Sequence, residues 1–206
     1  MRPIEFTTAS YVVADGNAIA EAQTLAGAEA MALTSSPYTI TPPKYVTITS
    51  VGNDSGITFT IVGTSPSGHA QTETVTGANA GAATSTLAFA TVTSITSSGA
   101  SAGNVEAGWT QSGYGGWIPM DIYTPNQATT VSAVVSGTIN YDIQYTNENP
   151  FDTSITPTAV AFPVAALGGA TATQTGTTTT VMRALRYKVN SGSGTIRVTI
   201  TQQSTA

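Results

Sequence analysis

Val46-Thr47-Ile48-Thr49-Ser50-Val51 alternates apolar and polar side chains with a period of two. It runs into the turn formers Gly52-Asn53-Asp54-Ser55-Gly56, and Ile57-Thr58-Phe59-Thr60-Ile61-Val62 then alternates again. Period two is the signature of a half-buried strand, and Gly, Asn, Asp and Ser between two such runs mark a turn. The stretch therefore reads as a β-hairpin, with Ile57, Phe59 and Ile61 on one face and Thr58, Thr60 and Val62 on the other.

The same style extends in both directions. A turn over 63–68 leads into Ala70–Thr76, where Thr72, Thr74 and Thr76 alternate with Gln71, Glu73 and Val75. That run is polar on both faces and reads as an edge strand, its Glu73 discouraging edge-to-edge pairing. Residues 77–83 read as a loop, Leu87–Phe89 and Val92–Thr96 as strands, and 97–103 as a turn. In the second half Val131–Ser136, Thr138–Thr146, Thr179–Val189 and Thr195–Thr201 read as strands. Gly137 and the cluster Asn190–Gly194 are the turns between them. Asn147–Pro157 is an expected long loop, and 168–176 a flexible one. Residues 18–32 hold the only plausible helix, though Gly27 interrupts it and its apolar stripe is poor; an irregular or strand segment is the alternative.

Short strands with regular turn signals predict an all-β chain of two β-sandwich-like domains. The expected organisation is a less regular, Ala-rich N-terminal arm over 1–33, which orders on a neighbouring subunit. A first β domain follows over 34–108, a Gly/Trp-rich corner over 109–118, and a second β-sandwich over 119–206. Both tryptophans, Trp109 and Trp117, fall in that corner, where they are expected to pack at a junction.

Composition limits the chemistry. Threonine supplies 39 of the 206 residues, while charged residues make up 8%, far below the usual quarter. Hydrophobic content is an ordinary 40%, which supports a packed core and not a disordered polyelectrolyte. With no cysteine, disulfides and thiolate metal sites are ruled out. Residues 1–108 carry Arg2 and Lys44 against seven acids, and residues 109–206 balance Arg183, Arg186, Lys188 and Arg197 against four. Neither half has the basic stripe of a nucleic-acid binder. No apolar run is long enough for a membrane span, and Met1–Glu5 shows no signal peptide.

Candidate catalytic groups read as structural. His69 is the lone histidine, better placed as a turn residue than as a metal ligand. Asp142, Glu148 and Asp152 could gather around Ca²⁺ with Asn147 and Asn149, but EF-hand spacing is missing. Asn53-Asp54-Ser55-Gly56 is a turn and no nucleophile segment, and neither a Gly-x-Ser-x-Gly elbow nor a phosphate-binding glycine loop is present. No catalytic residue, cofactor or metal is expected. The side chains expected to meet partners or glycans are Trp109, Tyr114, Trp117, Phe151, Arg183 and Arg186. Arg186 and Lys188 should share one strand face and Arg183 the other, pairing with Asp142 or Asp152 on a neighbouring strand.

Three segments carry a resemblance: Val46–Thr60, Gln71–Gly81, and Val134–Thr146 with Pro150-Phe151-Asp152. They resemble segments of uncharacterised tailed-bacteriophage virion proteins, over most of the chain after residue 40. The resemblance implies a location in the virion and no chemistry. The expected role is a non-enzymatic capsid decoration protein, made in the host cytoplasm and assembled as a homo-oligomer, a trimer by preference, on the major capsid protein or other virion proteins. A neck, collar or tail component and a carbohydrate-binding module for host or mucus attachment are the alternatives. Neither nucleic acid nor membrane is an expected partner.

Overall fold

The computed structural model describes residues 4–7, 11–123, 127–152 and 159–204. The chain is all-β: apart from a three-residue 3-10 turn at Ala165–Leu167, every regular element among the described residues is a strand. None of these elements is a helix long and apolar enough to cross a membrane. The residues gather into two compact units, one formed by 13–113 and the other by 1–12 together with 114–206.

The chain starts in the second of these with β1 (Ile4–Thr7), then builds the whole 13–113 unit. There β2 (Asp15–Thr24), β3 (Tyr38–Asn53), β4 (Thr58–Thr64), β5 (Ala70–Thr76), β6 (Asn79–Ser97) and β7 (Asn104–Trp109) form one antiparallel sheet in the order β2-β7-β3-β6-β4-β5. Phe59 and Ile61 of β4 are fully buried and Val62 is exposed, the faces that period two predicts. They join Val46 and Ile48 of β3, Phe89, Val92 and Ile95 of β6, and Val105 and Ala107 of β7 in one core.

The expected hairpin between β3 and β4 does not form, because β6 lies between them. β3 pairs with β6 and β7, whereas β4 pairs with β5 and β6. The tight connection from β5 to β6 occupies the place where a hairpin turn would have closed: Asp54 N–H donates to Ala78 O (2.9 Å) and Gly77 N–H to Ile57 O (3.0 Å). A Cβ on Gly77 would sit 2.4 Å from the Asp54 carbonyl oxygen, so only glycine passes there. Asp54 is itself 2% exposed and accepts Ala102 N–H through Oδ1 (2.7 Å), tying this turn to the one before β7.

Two further expectations are corrected, and over 18–32 the strand or irregular alternative holds. Residues 79–83 are strand and not loop, since β6 runs unbroken from Asn79 and pairs Gly81 with Ser50 and Ala83 with Ile48. No helix forms over 18–32: β2 pairs irregularly with β7, and the segment then crosses so that Met31 N–H donates to Ile95 O (2.8 Å). Its buried anchors Ile19, Ala20, Leu25 and Met31 do not recur at helical spacing, so a helix could not have buried them together. The expected arm over 1–33 is no separate body either. Ile4–Thr7 adds to the second unit and Asp15–Thr24 to the first, while 1–3 and 8–10 lie outside the described residues. As expected, β5 is an edge strand. Its Glu73 reaches back over β6, accepting Thr86 N–H (2.6 Å) and Oγ1–H (2.8 Å) and Leu87 N–H (3.0 Å).

The second unit holds two sheets. β8 (Gly113–Tyr114), β9 (Ile118–Pro119), β11 (Asn140–Thr146), β12 (Phe162–Pro163) and β14 (Ala184–Ser191) form one, in which β14 is central and pairs with β11, β8 and β9. β10 (Gln127–Gly137), β13 (Gln174–Thr178) and β15 (Gly194–Ser204) form the other with β1, in the order β1-β15-β10-β13. Its core draws Val131, Ala133, Ile196, Val198 and Ile200 from this sheet and Tyr141, Ile143, Leu185, Tyr187 and Val189 from the other, which is sandwich packing.

Several strands consecutive in sequence, β10 and β11 and again β14 and β15 among them, therefore lie in different sheets. The chain crosses between β10 and β11 and again between β14 and β15, and the crossings are bonded to each other through Thr138 N–H to Ser193 O (2.9 Å). Tyr11 exchanges two backbone hydrogen bonds with Gly194 beside them (2.7 and 2.9 Å). Two strand boundaries also move. Residues 179–183 precede β14 and are not strand, and β13 starts at Gln174 inside the segment expected to be a flexible loop. Of the expected loop 147–157, residues 153–157 lie outside the described residues.

Candidate functional site

On β14 the side chains alternate as they must: Leu185, Tyr187 and Val189 enter the core, and Arg186 and Lys188 face away from it. The register sets Lys188 opposite Asp142 and Arg186 opposite Gln144 on β11, so the expected shared face of Arg186 and Lys188 is present. Arg186 Nε donates to Gln144 Oε1 (2.9 Å). Its guanidinium carbon lies 4.1 Å from the Tyr114 ring centroid and 4.4 Å from that of Trp117. Two rings against one planar cation give both cation–π attraction and a fixed orientation, since the guanidinium remains charged at any physiological pH. Three residues expected at an interface, Tyr114, Trp117 and Arg186, are thus brought together. Tyr114 is buried, and Trp117 and Arg186 are half-buried.

Trp109 goes elsewhere. It ends β7 in the 13–113 unit, so the expected corner 109–118 is divided between the two units. Above its ring, 3.3 Å from the centroid, stands the ammonium of Lys44, which is only 1% exposed. Lys44 lies on the core-facing row of β3 with Val46 and Ile48, and Val46 and Asp15 are both register partners of Trp109. Burial pulls the Lys44 pKa down from 10.5 to about 8, and the negative charge of Asp15 partly opposes this. The sequence reading passed over Lys44 as an ordinary cation. Its parity with Val46 and Ile48 was the signal that it points inward.

The remaining expected positions are dispersed. Phe151 and Arg183 are exposed, Arg183 just ahead of β14. Asp142 Oδ1 accepts Gly169 N–H (2.6 Å) and Glu148 Oε2 accepts Val160 N–H (2.7 Å), so each is used to order a loop. Among the described residues no three His, Cys, Asp or Glu side chains gather as metal ligands. His69 sits in the turn between β4 and β5, where its backbone N–H donates to Ser65 Oγ (3.2 Å). Ser55 spends its hydroxyl on Asn53 Oδ1 (2.7 Å). Chemically, the Arg186 cluster can orient and hold a ligand or a neighbouring surface.

Compared with models of protein families, with curated proteins and with solved structures, the chain matches none of them.

Proposed function

We propose that this chain is a non-enzymatic structural protein of a tailed-phage virion, a capsid decoration protein that stabilises the head surface through contacts with the major capsid protein and with copies of itself. The observation that carries the reading is what the outward sheet faces are made of. On the sheet of β10, β13 and β15, Thr130 is opposite both Thr177 and Thr201, and Ser132 is opposite both Thr175 and Thr199. On the 13–113 sheet Thr60 is opposite both Thr74 and Thr96. Hydroxyl pairs tie these rows, Thr130 to Thr177 at 3.1 Å and Thr60 to Thr74 at 3.4 Å. Such faces offer many modest, uncharged contacts, and symmetry in an assembly multiplies them into stable attachment without any catalytic group. Tight cores and the few charged side chains spent on internal contacts fit a part whose work is to keep its shape.

The test is copy number per particle, by quantitative mass spectrometry of purified virions against the major shell protein. Hundreds of copies are expected. A count of about six or twelve would move the protein to the neck, collar or tail, where cyclic symmetry sets the number. Absence from virions would overturn the structural reading.

A second reading, attachment to host or mucus saccharides, draws support from one feature. Half-buried Trp117 and Arg186, backed by buried Tyr114 and Gln144, combine an aromatic ring with guanidinium donors on one side of a sheet, the chemistry that sugars select. Binding on a glycan array that Trp117→Ala abolishes would favour it, and an array without binding would remove it.

A further inference from the structure

At the end of the five-stranded sheet where β9, β14 and β11 meet, the second unit presents an apolar surface that none of the described residues covers. Tyr123 is 91% exposed, Val181 77% and Ile122 41%. Ile122, Val181, Asn147 and Arg183 line an open recess of about 390 Å³ there. Large side chains so fully presented, next to a recess of side-chain size, are the composition of a contact surface and not of a solvated loop.

The walls of the recess are held by backbone. Arg183 N–H donates to Thr146 O (2.8 Å), and Met120 N–H donates to Arg183 O (3.0 Å). Gln202 fixes the next residue from both sides, accepting Asp121 N–H (2.9 Å) and donating to Asp121 O (3.3 Å). Asp121 Oδ1 in turn accepts Tyr123 N–H (2.9 Å), which sets the direction of the Tyr123 backbone. A surface ordered in advance loses little conformational entropy when it is covered.

We propose that the occupant is a second copy of this chain, with Tyr123 of each copy entering the recess of the other and Arg183 meeting Glu148 across the contact. Charge selects this occupant. Arg183 is exposed, and among the described residues its guanidinium has no side-chain partner. Glu148, one residue beyond the lining Asn147, is exposed, and Val160 N–H holds its Oε2 (2.7 Å), which fixes the direction of the carboxylate. This end of the unit thus carries a wedge, a recess with a cation in its lining, and an anion one residue from that lining. Self-complementarity of this kind is what an isologous contact requires. A purely acidic or purely basic partner would leave one of the two charges opposite its own sign.

The experiment is sedimentation velocity with light scattering on the full chain, from micromolar to the highest soluble concentration. Wild type is expected to self-associate. Tyr123→Asp and Val181→Asp are each expected to weaken association roughly tenfold or more, since a charge would enter the centre of the contact. Both positions are exposed, so circular dichroism and the melting temperature should stay unchanged. Arg183→Glu should weaken association, and so should Glu148→Gln, which removes the charge but keeps a side-chain oxygen for Val160 N–H. A wild type that stays monomeric overturns the proposal, as does an oligomer that neither aspartate variant disturbs. A monomer that instead binds another virion protein through Tyr123 overturns it too. The contact does not depend on the virion role, because copy number in particles is measured independently of association in solution.

Discussion

Gly192→Ala is expected to destabilise the folded chain by about 4 kcal/mol or more, among the largest effects a single methyl group can have. Gly192 has φ +89°, in the left-handed region that a Cβ disfavours. The added Cβ would lie 2.0 Å from Thr138 O, 2.6 Å from its carbonyl carbon and 3.0 Å from Ile139 Cα. All three atoms are backbone, so no rotamer change can relieve the clash. They also belong to the crossing between β10 and β11, so relief would have to pull the two sheet-to-sheet crossings apart. Gly169→Ala is the control, with φ +64° and nothing within 4 Å of its Cβ. It should cost only the conformational penalty, about 1–2 kcal/mol. Denaturant titration of both variants separates the terms. If Gly192→Ala cost no more than Gly169→Ala, the close approach of the crossings would be wrong.

The second large effect is a dependence on pH. Folding lowers the pKa of Lys44 from 10.5 to about 8. Below about pH 8 the lysine is charged in both states, and the folded chain bears the full cost of burying that charge. Between pH 8 and 10.5 the unfolded chain binds more protons than the folded one, so stability rises with pH in that window. From about pH 7 to about pH 9.5 the expected gain is about 2 kcal/mol. Tyr187 acts in the opposite sense, since burial pushes its hydroxyl up to about 12 despite a hydrogen bond with Tyr11, but its contribution is lost only above the ordinary tyrosine value of 10. Lys44→Met fills the same space without a charge and should flatten the profile over this range. Chemical denaturation of both proteins at several pH values is the measurement. An equal slope in the variant would show that Lys44 is not its source.

Both effects come from places where period-two alternation was right about direction and silent about company. That Phe59 and Ile61 point inward, that Val62 and the threonines beside it point outward, and that the chain is all-β were legible because alternation acts one residue at a time. Lys44 was legible in the same way and was missed, because a lysine is expected to face water. The close approach at Gly192 could not be seen, since the backbone it meets belongs to the crossing between β10 and β11, some fifty residues earlier.

Local pattern alone determined the all-β class, the inward and outward faces of alternating strands such as β4, their hydroxyl-rich outer rows and the edge position of β5. Only the tertiary structure decided which strands are neighbours. It put β6 between β3 and β4, sent β10 and β11 into different sheets, and returned Ile4–Thr7 to pair with β15. It also gathered Arg186, Tyr114, Trp117 and Gln144 from three separated segments. The reason is physical: a strand's alternation specifies what it buries, whereas its partner is chosen by which closures let all the apolar faces share a core at once, a condition on the whole chain.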